Sequence, residues 1–141
     1  MTRLFNHVLV PVDFTEKNER ALQIARQIAE QNKADVSLIH VVETIGDMND
    51  EEMSAFYAKL RQRSIDKMDP LAEEFSAAGI QVYQKTLLGK PAEQIVKYAV
   101  EDSIDLIVLS SHKFNPAEGK GWATLSYQVS LICPCPVLLV K

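Results

Sequence analysis

The sequence has little cysteine and no long apolar run. Cys133 and Cys135 are its only cysteines among 141 residues, too few for a disulfide scaffold. A C-x-C spacing strains a mutual bridge, so we expect free thiols in a reducing compartment. The longest apolar stretches reach about five residues, far below the roughly 20 of a membrane-spanning helix. The first run ends at Asp13 and Glu16 without a small-residue cleavage site, which predicts a cytoplasmic protein.

Basic charge is also scarce. Lys and Arg number 15 against 19 Asp and Glu, which leaves a net charge of −4. A mildly acidic domain binds nucleic acid or an anionic membrane poorly, so neither is expected as a partner. Hydrophobic residues at 47% and charged residues at 24% exclude disordered and collagen-like classes. The length predicts one domain over residues 1–141.

Common catalytic and nucleotide-binding motifs are missing as well. The patterns G-x-G-x-x-G, G-x4-G-K-[ST] and G-x-S-x-G do not occur. The three histidines, His7, His40 and His112, have no partner at metal-ligand spacing, and His40 is interpreted as a packed core residue. Neither cysteine has a visible base beside it, so both are interpreted as structural. The sequence therefore predicts no catalytic residue and no metal site.

What the sequence does contain is a regular alternation of strand-like runs and helical stripes. Short apolar, β-branched runs occur at residues 5–12, 35–42, 80–88, 105–109 and 137–140. Apolar residues at helical spacing fill the gaps between them. The resulting order, βαβαβαβαβ, predicts a parallel sheet with helices on both faces. Strand orders 3-2-1-4-5 and 2-1-3-4-5 both satisfy the right-handed crossover rule.

Individual residues predict where several of these elements begin, end or lie in the sheet. Asp69-Pro70 predicts either a kink in one helix or the start of a second helix, and Gly79 is a predicted helix C-cap. Pro91 stands at the first position of the third helix, whose apolar stripe we expect to include Val100. The run at 80–88 alternates apolar and polar residues, which favours an edge strand.

A ligand site is expected where strands one and four of the order 3-2-1-4-5 part. The residues leaving those strands are Pro11-Val12-Asp13 and the segment from Ser110 to Lys113. The following loop enters the last helix near Thr124, where amides and partial positive charge suit phosphate. From these residues alone, an anion or nucleotide site and a hydrophilic surface loop both remain open.

Five segments together resemble a universal stress protein domain along nearly the whole chain. They are VLVPVD at 8–13, LIHVVE at 38–43, GKPA at 89–92, DLIVLSSH at 105–112 and CPVLLV at 135–140. None is specific alone, but their order and spacing are. The resemblance implies a Rossmann-like α/β sandwich of order 3-2-1-4-5. It also implies a homodimer in which Val137–Val140 pairs with its symmetry mate, which would cover an apolar edge strand.

Many members of that family bind ATP through G-x2-G-x9-G-[ST] after strand four. Counting back from Cys-Pro-Val places this motif at Ser110, Lys113, Ala123 and Thr124, so all three glycines are replaced and the hydroxyl remains. Ser110 and Ala123 lack the positive-φ freedom of glycine. Lys113 would either block the phosphates or contact them as a cation. The motif is therefore degenerate, and the resemblance supports nucleotide binding only in part.

The family's adenosine contacts fall on Asp13 and Val41. The implied cofactor site, for ATP or AMP with Mg²⁺ accompanying ATP, comprises Pro11, Val12, Asp13, Val41, Leu109, Ser110, Lys113, Ala123, Thr124 and Leu125. The implied function is a non-catalytic stress-response dimer that binds an adenine nucleotide. The alternative is a member that has lost nucleotide binding and acts as a dimer for protein partners not identifiable from sequence. ATP hydrolysis is less favoured because a base and a metal-binding carboxylate pair are not evident.

Overall fold

The protein is described here by a computed structural model that covers residues 3–44, 51–111 and 124–141. Its elements in chain order are β1 (His7–Pro11), α1 (Glu16–Asn32), β2 (Asp35–Glu43), α2 (Glu51–Ala77), β3 (Val82–Gly89), α3 (Pro91–Glu101), β4 (Leu106–Ser110), α4 (Leu125–Ile132) and β5 (Val137–Val140). The predicted alternation of strands and helices is therefore confirmed.

The five strands form one sheet in the order β3-β2-β1-β4-β5. All neighbouring pairs are parallel, and central β1 aligns Val8 with Val36 of β2 and with Leu106 of β4. This confirms the order 3-2-1-4-5 and excludes 2-1-3-4-5. It also places β3 at an edge, as its alternating sequence predicted.

Helices α1 and α2 cover one face of the sheet. Ala21, Ala25 and Ala29 of α1 are fully buried at one-turn spacing against the valines of β1, and Met68 and Phe75 of α2 complete this core. Small side chains let a helix approach the sheet closely, so an alanine stripe suits a helix over the central strands.

Helices α3 and α4 cover the other face, where Ile95, Ala99 and Val129 are buried against β1 and β4. The expectation that Val100 belongs to this stripe is wrong, because its side chain is 61% exposed. Tyr98 is buried instead, and its hydroxyl lies 2.9 Å from Ser37 Oγ, which satisfies its polar end.

Helix α2 runs without a break through Pro70, which decides between the two alternatives for Asp69-Pro70 in favour of one helix. The helix ends at Ala77, and Gly79 caps it as predicted, with a φ of +83° that favours glycine. There the amides of Gly79 and Ile80 donate to the carbonyls of Ser76 and Phe75 at 3.0 and 3.2 Å, the pattern of a Schellman cap. Within the described ranges, no helix has the length and apolar character needed to cross a membrane.

Candidate functional site

A cavity of about 240 Å³ opens at the carboxyl ends of β1, β2 and β4. It lies where the chain diverges between β1 and β4, the place in a doubly wound sheet where ligands bind. We call it the switch-point cavity, lined by Pro11, Val12, Asp13, Ile39, His40, Val41, Glu43, Pro91, Ile95, Leu109, Ser110, Thr124, Leu125 and Ser126.

Eight of the ten residues predicted for the site line this cavity. They are Pro11, Val12, Asp13, Val41, Leu109, Ser110, Thr124 and Leu125. The remaining two, Lys113 and Ala123, lie outside the described residues. So do three other residues of the loop after β4 that were candidates for ligand contact, His112, Lys120 and Trp122. The fold therefore brings together every predicted residue that it describes, from segments up to about a hundred positions apart in sequence.

Asp13 forms the turn from β1 into α1. Its Oδ1 accepts hydrogen bonds from the backbone amide of Thr15 at 2.9 Å and from Thr15 Oγ1 at 2.7 Å. Such a turn from an aspartate side chain orders the backbone two residues on. The carboxylate therefore sets the entry to α1 and also places negative charge at the cavity rim.

Asn18, which the sequence analysis did not single out, ties the ends of two strands together beside the cavity. Its side chain is only 1% exposed, and Nδ2 donates to Ser110 Oγ at 2.9 Å and to the Pro11 carbonyl at 3.3 Å. Its Oδ1 accepts from the Asp13 amide at 3.4 Å. An asparagine three residues before Ala21, on the buried face of α1, was the available signal, since buried polar groups need partners.

His40 lines the cavity, so its interpretation as a packed core residue is wrong. It is half-buried, and its Nδ1 lies 2.6 Å from the Val12 carbonyl, which can only accept, so this nitrogen carries the proton. Its ring lies 4.7 Å from the ring of Phe14. Phe14 has a φ of +61°, a conformation that is rare for a bulky residue. The Val12 carbonyl and the Phe14 ring therefore both contact the His40 side chain in β2.

The start of α4 contributes hydroxyls and amides to the opposite wall. Thr124 caps the helix, since its Oγ1 accepts from the amide of Tyr127 at 3.3 Å. Ser126 Oγ lies 3.3 Å from Thr124 Oγ1 and 3.4 Å from Ser111 Oγ, which links the helix to the end of β4. The amides of Leu125 and Ser126 stand in a first turn, where a helix supplies no acceptor of its own, so this end suits an anionic group.

The rest of the lining is apolar or acidic. Asp13 and Glu43 supply carboxylates, and within the described part of the lining there is no Lys or Arg. Carboxylates accept hydrogen bonds from hydroxyl or amino groups of a ligand, and Ile39, Val41 and Leu109 offer an apolar surface. The arrangement can hold a ligand with a flat or apolar body, hydroxyl groups, and one anionic end at α4.

A larger and more open groove of about 750 Å³ lies on the other side of the sheet, between α1 and α2. Its lining includes Glu19, Arg26, Lys67 and Glu74, a mixture of both charges. Among the predicted site residues, those that the structure describes lie at the switch-point cavity and not in this groove. We therefore take the smaller cavity as the candidate site, because it lies at the switch point.

Comparison with known proteins now identifies the family. Residues 4–141 match the universal stress protein family, and the chain therefore belongs to it. Universal stress protein YxiE of Bacillus subtilis is 24% identical over 148 residues, which cover 98% of this chain and 100% of the relative.

Solved structures of the family share the fold. The universal stress protein UspA from Lactobacillus plantarum superposes with a TM-score of 0.85 at 23% identity, covering 100% of both chains. A universal stress protein in complex with cAMP gives a TM-score of 0.70 at 22% identity, covering 97% of both chains. One from Archaeoglobus fulgidus in complex with dAMP gives 0.67 at 19%, covering 98% of this chain and 99% of that one.

Proposed function

We propose that this universal stress protein binds an adenine nucleotide, ATP or AMP, in the switch-point cavity and acts as a non-catalytic regulatory protein of the cytoplasm. The observation that carries the proposal is the convergence of eight predicted residues on one cavity at the switch point. The family likeness was drawn from the sequence, whereas the cavity is a property of the fold. Eight residues are therefore shared by the site that the resemblance implies and the cavity that the fold forms.

The nucleoside would occupy the acidic and apolar part of the cavity. Asp13 would accept hydrogen bonds from ribose hydroxyls, while Val41 and Leu109 would pack against the base. A volume of about 240 Å³ lies below the usual range of about 300–1,000 Å³ for ligand sites. That size suits a nucleoside or a monophosphate better than a whole triphosphate held inside the described walls.

The phosphate would lie at the N-terminus of α4. The Ser110 and Thr124 side chains and the Leu125 amide would donate to phosphate oxygens, where the helix end also favours negative charge. Lys113 and Ala123 remain predicted neighbours from the sequence. The complexes with cAMP and dAMP are of proteins less than 25% identical to this one, so they support only a fold that is able to hold such ligands. The assignment of an adenine nucleotide to this chain therefore depends on the cavity residues named above.

Regulation without catalysis fits the lining better than hydrolysis does. Phosphoryl transfer to water needs metal ligands and a group that orients the water. Within the described ranges there is no cluster of three or more potential metal-ligating side chains, and Mg²⁺ accompanying ATP would be held mainly by phosphate oxygens and water. Asp13 Oδ1 already accepts two hydrogen bonds from Thr15, so this oxygen is occupied in the turn into α1 and is not free to orient a water.

The test is nucleotide content followed by titration. Purified protein is denatured and the released nucleotides are separated, and emptied protein is then titrated with ATP, ADP and AMP by calorimetry. Asp13→Asn keeps an oxygen for Thr15 but removes the charge, so it should weaken binding about tenfold or more while the protein stays folded. Asp66→Asn, at an exposed position of α2, is the matched control and should bind like the wild type.

We also propose that the chain forms a homodimer through Val137–Val140. Strand β5 is an edge of the sheet, and the amides of Ile107 in β4 and of Ser111 directly after it donate to the carbonyls of Pro136 and Val140. By alternation, the backbone groups of Val137 and Leu139 face the open edge. An apolar edge strand is commonly covered by a partner.

The second candidate function is a dimer that no longer binds nucleotide and recognises other proteins. The replaced glycines and the exposure of Leu131 at 65% and Ile132 at 57% on α4 favour it, since clustered exposed apolar residues mark interaction sites. Clean protein that shows no heat of binding at millimolar nucleotide would support this function and contradict the first.

A further inference from the structure

Two thiols meet in the turn between α4 and β5. Cys133 Sγ and Cys135 Sγ lie 3.3 Å apart, and both side chains are half-buried. We call residues 133–136 the C-P-C turn. Neither thiol belongs to the switch-point cavity, so the nucleotide proposal leaves them without a role.

The C-P-C turn is held at both ends. The Cys133 amide donates to the Val129 carbonyl of α4 at 2.9 Å, and the Pro136 carbonyl accepts from the Ile107 amide of β4 at 3.0 Å. Pro134 and Pro136 each have a fixed φ. Both cysteines also pack against the core formed by α3, α4 and the sheet. The two sulfur atoms are therefore preorganised, which lowers the entropic cost of binding one atom between them.

The separation of the sulfurs fits a chelated atom better than a disulfide. A disulfide requires the sulfurs to close to about 2.05 Å with a defined dihedral angle, and the C-x-C ring resists it. If both sulfurs bind one shared atom through bonds of about 2.3 Å, the observed S···S distance gives an S–atom–S angle of roughly 90°. A tetrahedral angle at that atom would need an S···S distance of about 3.8 Å. The C-P-C turn would therefore need to move little for both sulfurs to bind an atom whose bonds meet at nearly a right angle.

We propose that Cys133 and Cys135 form a dithiol site for a soft, thiophilic element, with a trivalent arsenical as the ligand class that fits best. Pyramidal trivalent arsenic forms bonds that meet at close to a right angle. In the reaction with phenylarsine oxide, both S–H bonds break and two As–S bonds form. The arsenical oxygen takes both protons and leaves as water, so no electron is transferred and no further reactant is needed.

Mass spectrometry of the intact full-length chain tests the site. Reduced protein, freed of reductant, is mixed with one equivalent of phenylarsine oxide and then challenged with excess 2-mercaptoethanol. We expect one adduct, heavier by one arsenical less one water, that survives the monothiol and is removed by 2,3-dimercaptopropanol. Cys133→Ser and Cys135→Ser should each hold the arsenical about 100-fold more weakly, since a single bond lacks the effective concentration of the second thiol.

Three results would overturn the proposal. They are a wild-type chain with no adduct, single variants that retain the arsenical as well as the wild type does, or a wild-type chain recovered lighter by two hydrogens, which would indicate a disulfide. Serine is close to cysteine in size, and thermal melts of both variants verify that they are folded. The assay needs no nucleotide, so its outcome is independent of the nucleotide proposal.

Discussion

Asn18 Nδ2 donates to Ser110 Oγ at 2.9 Å, so a side chain in the first turn of α1 holds the last residue of β4. The same nitrogen reaches the Pro11 carbonyl at the end of β1. The two strands whose divergence creates the switch-point cavity are thereby fastened to one buried amide. Residues 92 positions apart in sequence thus determine the geometry of one wall.

Asn18→Ala should destabilise the protein and weaken nucleotide binding together. The substitution leaves the Pro11 carbonyl and Ser110 hydroxyl without their donor, and an unsatisfied buried group costs about 1–3 kcal/mol. Urea unfolding and calorimetric titration measure the two effects. Asn6→Ala, at an exposed position before β1, is the control. Wild-type stability in Asn18→Ala would contradict the assigned hydrogen bonds.

Phe14 should tolerate glycine better than alanine. Both variants lose the ring contacts to His40 and to Lys67 Nζ, which lies 5.5 Å from the ring centre. Only alanine keeps a Cβ at a φ of +61°, and this left-handed conformation destabilises a residue with a Cβ by about 1–2 kcal/mol. Phe14→Gly should therefore unfold at higher urea than Phe14→Ala. As a control, Ala58→Gly at an exposed position of α2 should lower the free energy of unfolding by about 1 kcal/mol relative to the wild type. Equal stability of the two Phe14 variants would show that the backbone is not strained there.

Much of the fold could be predicted because periodicity reports burial. The alternation of runs and stripes located each helix and strand in the described ranges, and family resemblance selected the order 3-2-1-4-5. Val100 shows the limit of such patterns. It continues the apolar spacing of α3 but is exposed, whereas Tyr98 is buried and its hydroxyl donates to Ser37 of β2, a partner that only the tertiary structure supplies.

The candidate site was likewise predictable from the sequence only in part. Asp13, Ser110 and Thr124 follow directly from strand ends and a helix start, which topology brings together. Asn18 was missed and His40 was assigned to the core because their roles depend on partners far away along the chain, the Ser110 hydroxyl and the Val12 carbonyl. A buried polar residue indicates that a partner exists, but it does not identify which residue that partner is.

Leu138→Arg should dissociate the proposed homodimer. Leu138 stands in β5 and is 39% exposed, and a charge on an edge strand opposes pairing with a second copy. Sedimentation velocity over a range of concentrations should show a dimer for the wild type and a monomer for the variant. Leu4→Arg, at a position 78% exposed at the other end of the chain, should remain dimeric. A wild type that sediments as a monomer would contradict the proposed interface.

Tyr98 should make the protein less stable in alkali. Burial raises the pKa of Tyr98 above its usual value of 10.0, opposed by its hydrogen bond with Ser37. In the unfolded chain the phenol ionises at the usual pKa, whereas in the folded protein it keeps its proton to higher pH. Between the two pKa values the folded state binds more protons, so stability falls as pH rises above 10.

The measurement is the urea midpoint of wild type and Tyr98→Phe as pH rises from neutral past 10.0, the unperturbed pKa. At neutral pH the variant should be less stable by about 1 kcal/mol, the contribution of the lost hydrogen bond to Ser37. Above the unperturbed pKa the wild type loses stability that the variant, having no phenol at this position, does not lose. The difference between them should therefore shrink as pH rises. Tyr127→Phe, at a position of α4 that is 37% exposed, is the control for general alkaline effects. A difference that stays constant across this range would mean that Tyr98 ionises equally in both states.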